Sequence, residues 1–445
     1  MTTERIPLST IALYGSPVGA VFAASFLVST FFLFYMTDIL MIAPATAGLI
    51  LAAGQVWDAI NDPPIGHLSD RTRTRWGRRR PWMALSAIPL AICTVAIWTP
   101  PQEFDSTGVV AWVLVSFLLL RTFYSTFRVP HLALGAELSQ GYHDRTRVFG
   151  GSQFFENVGL LSAAGAVFLI ENAADPRSQA GAVATAFAIA TVFFVLVATA
   201  RLREPEHSQD LPTTSALEAF RDVLRNPHAR LLVLVFFLDQ ASLSTLIAVL
   251  PYLSTWVLRT EGQAAVYMGT AVVAMTTSLP VAIALARRFG KKNVWIASIG
   301  ARAAILACVF LLDAGDQALA IFWTFLIGFM GGASTVIGPS LKADVIDWDE
   351  SQSGTRREGA YFATWNFAQK SATAVAGLSI GWILAATGYD ASAAAQTEAT
   401  QNWIRVATGI VPCILNVLAF VALSRFGLDE AAHSEAVAQT AARTD

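Results

Sequence analysis

Twelve long apolar runs dominate this 445-residue chain, and polar segments separate most of them. A helix needs about 20 mostly apolar residues to cross the hydrocarbon core of a bilayer. Only 14% of the residues are charged, whereas a soluble domain carries about 25%. The sequence therefore predicts an all-α membrane protein with twelve transmembrane helices, at 11–36, 43–69, 82–100, 108–136, 148–171, 179–202, 230–258, 264–287, 294–313, 318–341, 358–386 and 402–426.

Lysine and arginine concentrate in alternate loops between these runs. The segments 71–80, 201–230 and 287–292 are rich in them, whereas 37–46 and 100–108 contain none. Loops with many positive charges stay on the cytoplasmic side. This pattern predicts a multi-pass protein of the cell (inner) membrane with both termini in the cytoplasm.

The two halves of the chain repeat each other. Gly77-Arg78 follows the second run, and Gly290-Lys291 follows the eighth. Six-helix repeats of this kind build many secondary transporters, whose sites lie at the midplane between the halves. The expected organisation is a first six-helix bundle, a cytoplasmic linker, a second six-helix bundle and a cytoplasmic tail, at 1–202, 203–229, 230–426 and 427–445.

Eight charged side chains lie inside the apolar runs. A charge at the bilayer centre costs from ~3 to more than ~10 kcal/mol, so such groups pair with one another or line a wet cavity. They are Asp58, Asp62, Glu156, Asp239, Arg121, Arg128, Arg302 and Lys370.

Asp58 and Asp62 stand one helical turn apart, so both carboxylates project from one helix face beside Asn61. Pro63 and Pro64 lack an N–H and leave two carbonyls of the preceding turn without their usual donors. This oxygen cluster suits a small cation, either Na⁺ at the two aspartates or a proton. The alternative interpretation is that both aspartates pair with Arg128 and Lys370 and only hold helices together.

Several motifs resemble the glycoside–pentoside–hexuronide:cation symporters. The matching segments are Trp57-Asp58-Ala59-Ile60-Asn61-Asp62-Pro63, Arg73-Thr74-Arg75-Trp76-Gly77-Arg78, Val129-Pro130, Phe154-Phe155, Asp344-Val345-Ile346-Asp347-Trp348 and Arg356-Arg357-Glu358-Gly359, with Lys370 beyond them. The resemblance covers nearly the whole chain. It implies the major-facilitator fold of two six-helix halves. The protein is expected to act as a monomer and to contact membrane lipid.

The resemblance also implies an ion site. In that family, two aspartates and an asparagine of the second helix hold the cation together with a hydroxyl of the fourth. The matching residues are Asp58, Asp62, Asn61 and Ser125, and the coupling lysine of the eleventh helix matches Lys370. A coupling ion, Na⁺ or H⁺, is expected and no other cofactor.

The sugar-binding positions differ from those of the melibiose-carrying members. Where those have two aspartates, a tryptophan and an arginine, this chain has Phe22, Arg128, Leu132 and Gln153. A guanidinium is a natural partner for a carboxylate, sulfate or phosphate. Arg128 therefore predicts an anionic solute, unless it only bridges to Asp58 or Asp62.

Other polar residues leave alternatives open. Trp365 and Asn366 are candidate cavity residues beside Lys370. Glu156 either faces the cavity or pairs with Arg147. Asp239 and Arg302 either pair structurally or contact the substrate, and His131 is either packed or a proton relay.

The basic segment after the second run predicts a charge-paired cytoplasmic gate and no nucleic-acid site. Its expected members are Asp70, Arg71, Gly77 and Arg78, with Asp344, Asp347 and Glu358 as partners.

The sequence therefore predicts a Na⁺- or H⁺-coupled symporter that imports a small, polar, anionic solute such as a uronide, a sulfonated sugar or another glycoside. A lysolipid transporter of the same fold is the nearest alternative. An integral membrane enzyme is the alternative of another class, but the chain has no HExxH, GxSxG or Walker motif.

Overall fold

The computed structural model describes residues 6–138, 142–202, 204, 216–353 and 358–428, and its regular elements there are all helical. The helices are α1 (Leu8–Phe34), α2 (Pro44–Arg71), α3 (Arg80–Trp98), α4 (Ser106–Leu138), α5 (Tyr142–Glu171), α6 (Pro176–Arg201), α7 (Ala216–Arg225), α8 (Pro227–Tyr252), α9 (Ala264–Phe289), α10 (Lys291–Val309), α11 (Gln317–Ser353), α12 (Glu358–Ala386), α13 (Glu398–Arg405) and α14 (Val411–Ser424). Short π-helical turns extend α1 and α8 and join α13 to α14. Apart from the short α7, they form twelve long helical segments, as the sequence predicts.

Ten of these helical segments are long and apolar enough to cross a membrane by length and composition. The two long helices outside that set are α2 and α12, which carry Asp58, Asp62 and Lys370. Helices that expose polar groups to a cavity gain less from hydrocarbon, so a lower hydropathy fits the predicted site helices.

Several predicted boundaries are wrong. The tenth predicted run continues in α11 to Ser353 instead of ending at 341, and α5 begins at Tyr142 instead of 148. The predicted linker contains α7 and the first residues of α8. Of the predicted tail, only 427 and 428 lie in the described part.

The chain forms two compact units, Met1–Leu211 and Pro212–Asp445. In the first unit, α1 packs on α5 and α6, α3 packs on α4 and α6, and α2 packs on α4. In the second unit, α8 packs on α12 and α14, α10 packs on α11 and α14, and α9 packs on α11. The same five pairings occur in both units, so the sequence repeat is also a repeat of packing.

The ends of α1 and α8 repeat in atomic detail. Both helices pass into five-residue π-helical turns, Tyr35–Ile39 and Leu253–Val257. Each turn is followed by a non-glycine residue with positive φ, Met41 at 56° and Arg259 at 54°. An L-residue adopts this backbone only when its surroundings hold it there. The shared strained turn therefore marks equivalent positions in the two halves.

A glycine fixes the turn between α2 and α3. Gly77 has φ of 99°, and a Cβ there would lie 2.1 Å from a carboxylate oxygen of Glu204. That carboxylate accepts hydrogen bonds from the backbone N–H groups of Arg78 and Arg79. The Glu204 side chain thus ties the segment after α6 to the start of α3.

Candidate functional site

Asp58 lies at the centre of a buried polar cluster between α2 and α4. Its side chain is only 1% exposed. Arg121 donates a hydrogen bond from Nη2 to Oδ2 of Asp58 at 2.8 Å, and the Ser125 hydroxyl donates to Oδ1 at 3.1 Å. Arg121 and Ser125 are one turn apart on α4, so both reach the same carboxylate. The structure therefore brings together Asp58 and Ser125, two members of the predicted ion site.

The other predicted members lie on the same stretch of α2. Asp62 is half-buried, and the amide nitrogen of Asn61 is buried with no hydrogen-bond partner among the described residues. Gln55, one turn before Asp58, accepts a hydrogen bond from Arg121 at 3.1 Å. Gln55 is not among the residues that the sequence predicts for the ion site. The amide oxygen extends the oxygen cluster by one turn.

Arg121 is held on several sides. Its guanidinium carbon lies 5.9 Å from the ring centre of Phe117 and 5.7 Å from that of Tyr124. It also lines a small cavity between α1, α3, α4 and α6. Its polar lining includes Thr94 and Thr191, and the Thr191 hydroxyl is buried with no hydrogen-bond partner in the described part of the chain.

Arg128 forms an ion pair that the sequence did not predict. It donates from Nη2 to Oε1 of Glu156 at 2.7 Å, joining α4 to α5. Arg128 and Glu156 therefore pair with each other in this structure, whereas the sequence suggested Asp58 or Asp62 as the partner of Arg128 and Arg147 as that of Glu156. The Arg128 side chain is 25% exposed and that of Glu156 15%. The pair is therefore only partly buried.

The remaining predicted substrate residues of the first half are on three different helices. Phe22 on α1 stacks against Phe26, and Gln153 on α5 donates to Asn157 at 3.3 Å. Leu132 is 37% exposed. They lie on α1, α4 and α5, and the last two of these helices also carry Arg128 and Glu156.

His131 is part of the helix packing. It stacks on the ring of Tyr14 with centroids 4.1 Å apart, and its Nε2 lies 2.8 Å from the Tyr14 carbonyl oxygen. The side chain is fully buried. These contacts support the packed interpretation of His131 over a proton relay.

A second buried cluster fills the middle of the second unit. Arg302 pairs with Asp239 and donates two hydrogen bonds to the Asn416 side-chain oxygen, at 2.9 and 2.6 Å. Asn416 in turn donates to the Ser242 hydroxyl at 2.6 Å. This network supports the structural interpretation of Asp239 and Arg302.

The predicted residues of α12 have different surroundings. Trp365 is buried and stacks on Tyr361 with centroids 5.7 Å apart, whereas Asn366 is exposed and Lys370 is half-buried. The predicted approach of Lys370 to the acidic pair stays a prediction.

Lys342 was missed by the sequence analysis. Its ammonium nitrogen lies 5.5, 5.2 and 5.0 Å from the ring centres of Phe236, Phe362 and Trp365. Rings at this distance attract a cation through their quadrupole. The predicted tenth run stops at 341, so Lys342 falls one residue outside it.

The basic loops after α2 and α9 form ion pairs inside their own units. Asp70 pairs with Arg79, Arg78 lies 3.9 Å from Glu204, and Lys291 pairs with Asp344 at 2.7 Å. Lys291 follows Gly290 as Arg78 follows Gly77, so the last pair lies in the loop that repeats the first one.

The other predicted gate residues are described by their positions alone. Arg71 is exposed, Asp347 lies on α11, and the side chain of Glu358 lies outside the described part. A gate that joins the two halves stays a prediction.

A family model described as MFS/sugar transport protein matches residues 13–430. The chain belongs to that family. It is 26% identical to the Inner membrane symporter YicJ of Escherichia coli over 90% of this chain and 87% of the relative. It is 27% identical to the isoprimeverose transporter of Lactiplantibacillus pentosus, over 91% and 85%. It is 24% identical to the glucuronide carrier protein homolog of E. coli, over 92% and 90%.

A solved structure shows the same fold. The crystal structure of a D-xylose-proton symporter matches with a TM-score of 0.69 at 16% identity, over 95% of this chain and 98% of that one. These matches confirm the resemblance to glycoside–pentoside–hexuronide symporters and the major-facilitator fold. They also identify a multi-pass membrane transporter of the sugar and glycoside class rather than an enzyme.

Proposed function

We propose that this transporter is a cation-coupled symporter that imports a small anionic solute, such as a uronide or a sulfonated sugar, by alternating access. The observation that carries the proposal is the position of Arg128, a partly exposed guanidinium where related carriers of neutral galactosides have a carboxylate. A relative named as a glucuronide carrier homolog also supports an anionic sugar. The transporter acts as a monomer, contacts membrane lipid, and has both termini in the cytoplasm.

Glu156 gives the substrate site a way to respond to the solute. A guanidinium has five N–H donors, and the bond to Glu156 uses one of its nitrogens. An anionic solute competes with Glu156 for Arg128 and draws the guanidinium away from α5. Binding would therefore loosen the contact between α4 and α5 that the empty site maintains.

The same ion pair favours a second candidate, a neutral glycoside. Arg128 and Glu156 together carry no net charge and offer both donors and acceptors to hydroxyl groups. The isoprimeverose transporter among the relatives fits this alternative.

Uptake into proteoliposomes separates the candidates. The panel contains a uronide, a sulfonated sugar, a neutral glycoside and a lysolipid, each with and without an imposed Na⁺ or pH gradient. We expect gradient-driven accumulation of the anionic sugars alone. Accumulation of the neutral glycoside alone would support the second candidate, and transport of the lysolipid alone would support the lipid carrier.

Arg128→Lys tests the role of the guanidinium. Lysine keeps the charge but loses the planar pair of donors. We expect the affinity for the anionic solute to fall ~10- to 100-fold, because a charge-assisted hydrogen bond is worth about 1.5–3 kcal/mol. Equilibrium binding to the purified protein measures the change.

Arg177→Lys is the matched control, because Arg177 bonds the Pro100 carbonyl at the start of α6, away from this site. Unchanged affinity in Arg128→Lys would contradict a substrate role for Arg128.

A further inference from the structure

Arg121 occupies the ion site from within the protein. Its Nη2 lies 2.8 Å from Oδ2 of Asp58 and 3.1 Å from the Gln55 oxygen, so it bridges two of the oxygens offered to a cation. We propose that Arg121 is a built-in cation that keeps Na⁺ and Li⁺ out of the Asp58 site, so that transport requires no metal ion. The inference rests on the proposed symport, because it narrows which ion that symport can use.

Both oxygens of the Asp58 carboxylate are already engaged. Arg121 donates to one oxygen and the Ser125 hydroxyl donates to the other. A metal ion at Asp58 would have to share the carboxylate with both of these donors. This set of contacts suits a carboxylate that is paired with a guanidinium rather than with a metal ion.

The charges lead to the same conclusion. Asp58 is 1% exposed and the Arg121 side chain 11%, so water screens the pair poorly. A metal ion in contact with Asp58 would stand beside the guanidinium and be repelled by it. The pair is neutral without any added ion.

Arg121 has no better place to go. The cavity beside it is lined mostly by aliphatic side chains with a few hydroxyls, including those of Thr94 and Thr191, and none of its lining residues carries a carboxylate. A guanidinium that moved there would lose its counter-ion in a buried setting, which strongly disfavours the move. Arg121 therefore stays on Asp58.

Thermal unfolding of the purified full-length protein tests the proposal without knowledge of the substrate. The melting temperature is measured in equal concentrations of NaCl, LiCl and choline chloride. We expect the same value in all three salts for the natural protein. In Arg121→Gln, which frees Asp58 for a metal, we expect Na⁺ or Li⁺ to raise the melting temperature by about 2–4 °C relative to choline.

Two further variants serve as controls. Arg121→Gln combined with Asp58→Asn removes the metal ligand and should abolish the salt-specific rise. Arg177→Gln removes an arginine outside the site and should behave like the natural protein in all three salts.

A Na⁺- or Li⁺-specific rise in the natural protein overturns the proposal, and this result needs no variant to fold. The absence of such a rise in folded Arg121→Gln also overturns it. Failure of the proposed symport gives a different result, namely no gradient-driven accumulation of any solute. Such a result would leave the thermal outcome for Arg121 unaffected.

Discussion

Replacing Arg302 with methionine should lower the free energy of unfolding by about 3–5 kcal/mol, because Asp239 would remain buried without its counter-ion. Asp239 is 5% exposed, so water cannot take the place of the guanidinium. The variant also removes two donors from the Asn416 oxygen. Thermal or chemical unfolding in detergent measures the loss.

The double variant Arg302→Met with Asp239→Leu is the control. Replacing a whole buried ion pair with apolar groups is often neutral or stabilising. Most of the lost stability should therefore return, although Asn416 has lost the same donors in both variants. Equal destabilisation of the single and double variants would show that lost packing, rather than the stranded carboxylate, explains the effect.

The second large effect is expected in transport. Asp62→Asn should abolish uphill accumulation of the solute and leave downhill equilibration. Arg121 and Ser125 both bond to Asp58, so Asp62 is the other carboxylate of the predicted ion site. A tenfold gradient of one coupled ion is worth about 1.4 kcal/mol and supports up to about tenfold accumulation in electroneutral symport. We expect the variant to reach a ratio of about one in the same proteoliposome assay.

Asp313→Asn is the control for this experiment. Asp313 lies in the loop between α10 and α11, where its side chain is 75% exposed and pairs with Arg405. Its neutralisation should therefore leave accumulation of the solute unchanged. Full accumulation by folded Asp62→Asn would contradict a coupling role for Asp62.

Most of the helices could be predicted because hydrocarbon imposes a simple length requirement on apolar runs. Their ends could not be predicted as well. The amphipathic end of α11 continues through Lys342 to Ser353, although the apolar run stops at 341. Hydropathy records where lipid contact ends, whereas local hydrogen bonds and caps decide where a helix ends.

The candidate site was predictable along each helix but not between helices. Spacing alone places Arg121, Ser125 and Arg128 on one face of α4. Which arginine contacts Asp58 depends on how far α4 is shifted along its axis relative to α2. Spacing along one helix carries no information on that shift. The structure places Arg121 at Asp58 and directs Arg128 to α5.

The repeated packing has a consequence for how the chain can be made. Each half satisfies its own five helix pairings, so each should insert and fold as a separate polypeptide. The first fragment has to include Glu204, because this residue follows α6 and its carboxylate bonds to the backbone of the turn before α3. Co-expressed fragments should be stable when the first ends after Glu204, and its α2–α3 turn should loosen when that fragment ends at Leu202.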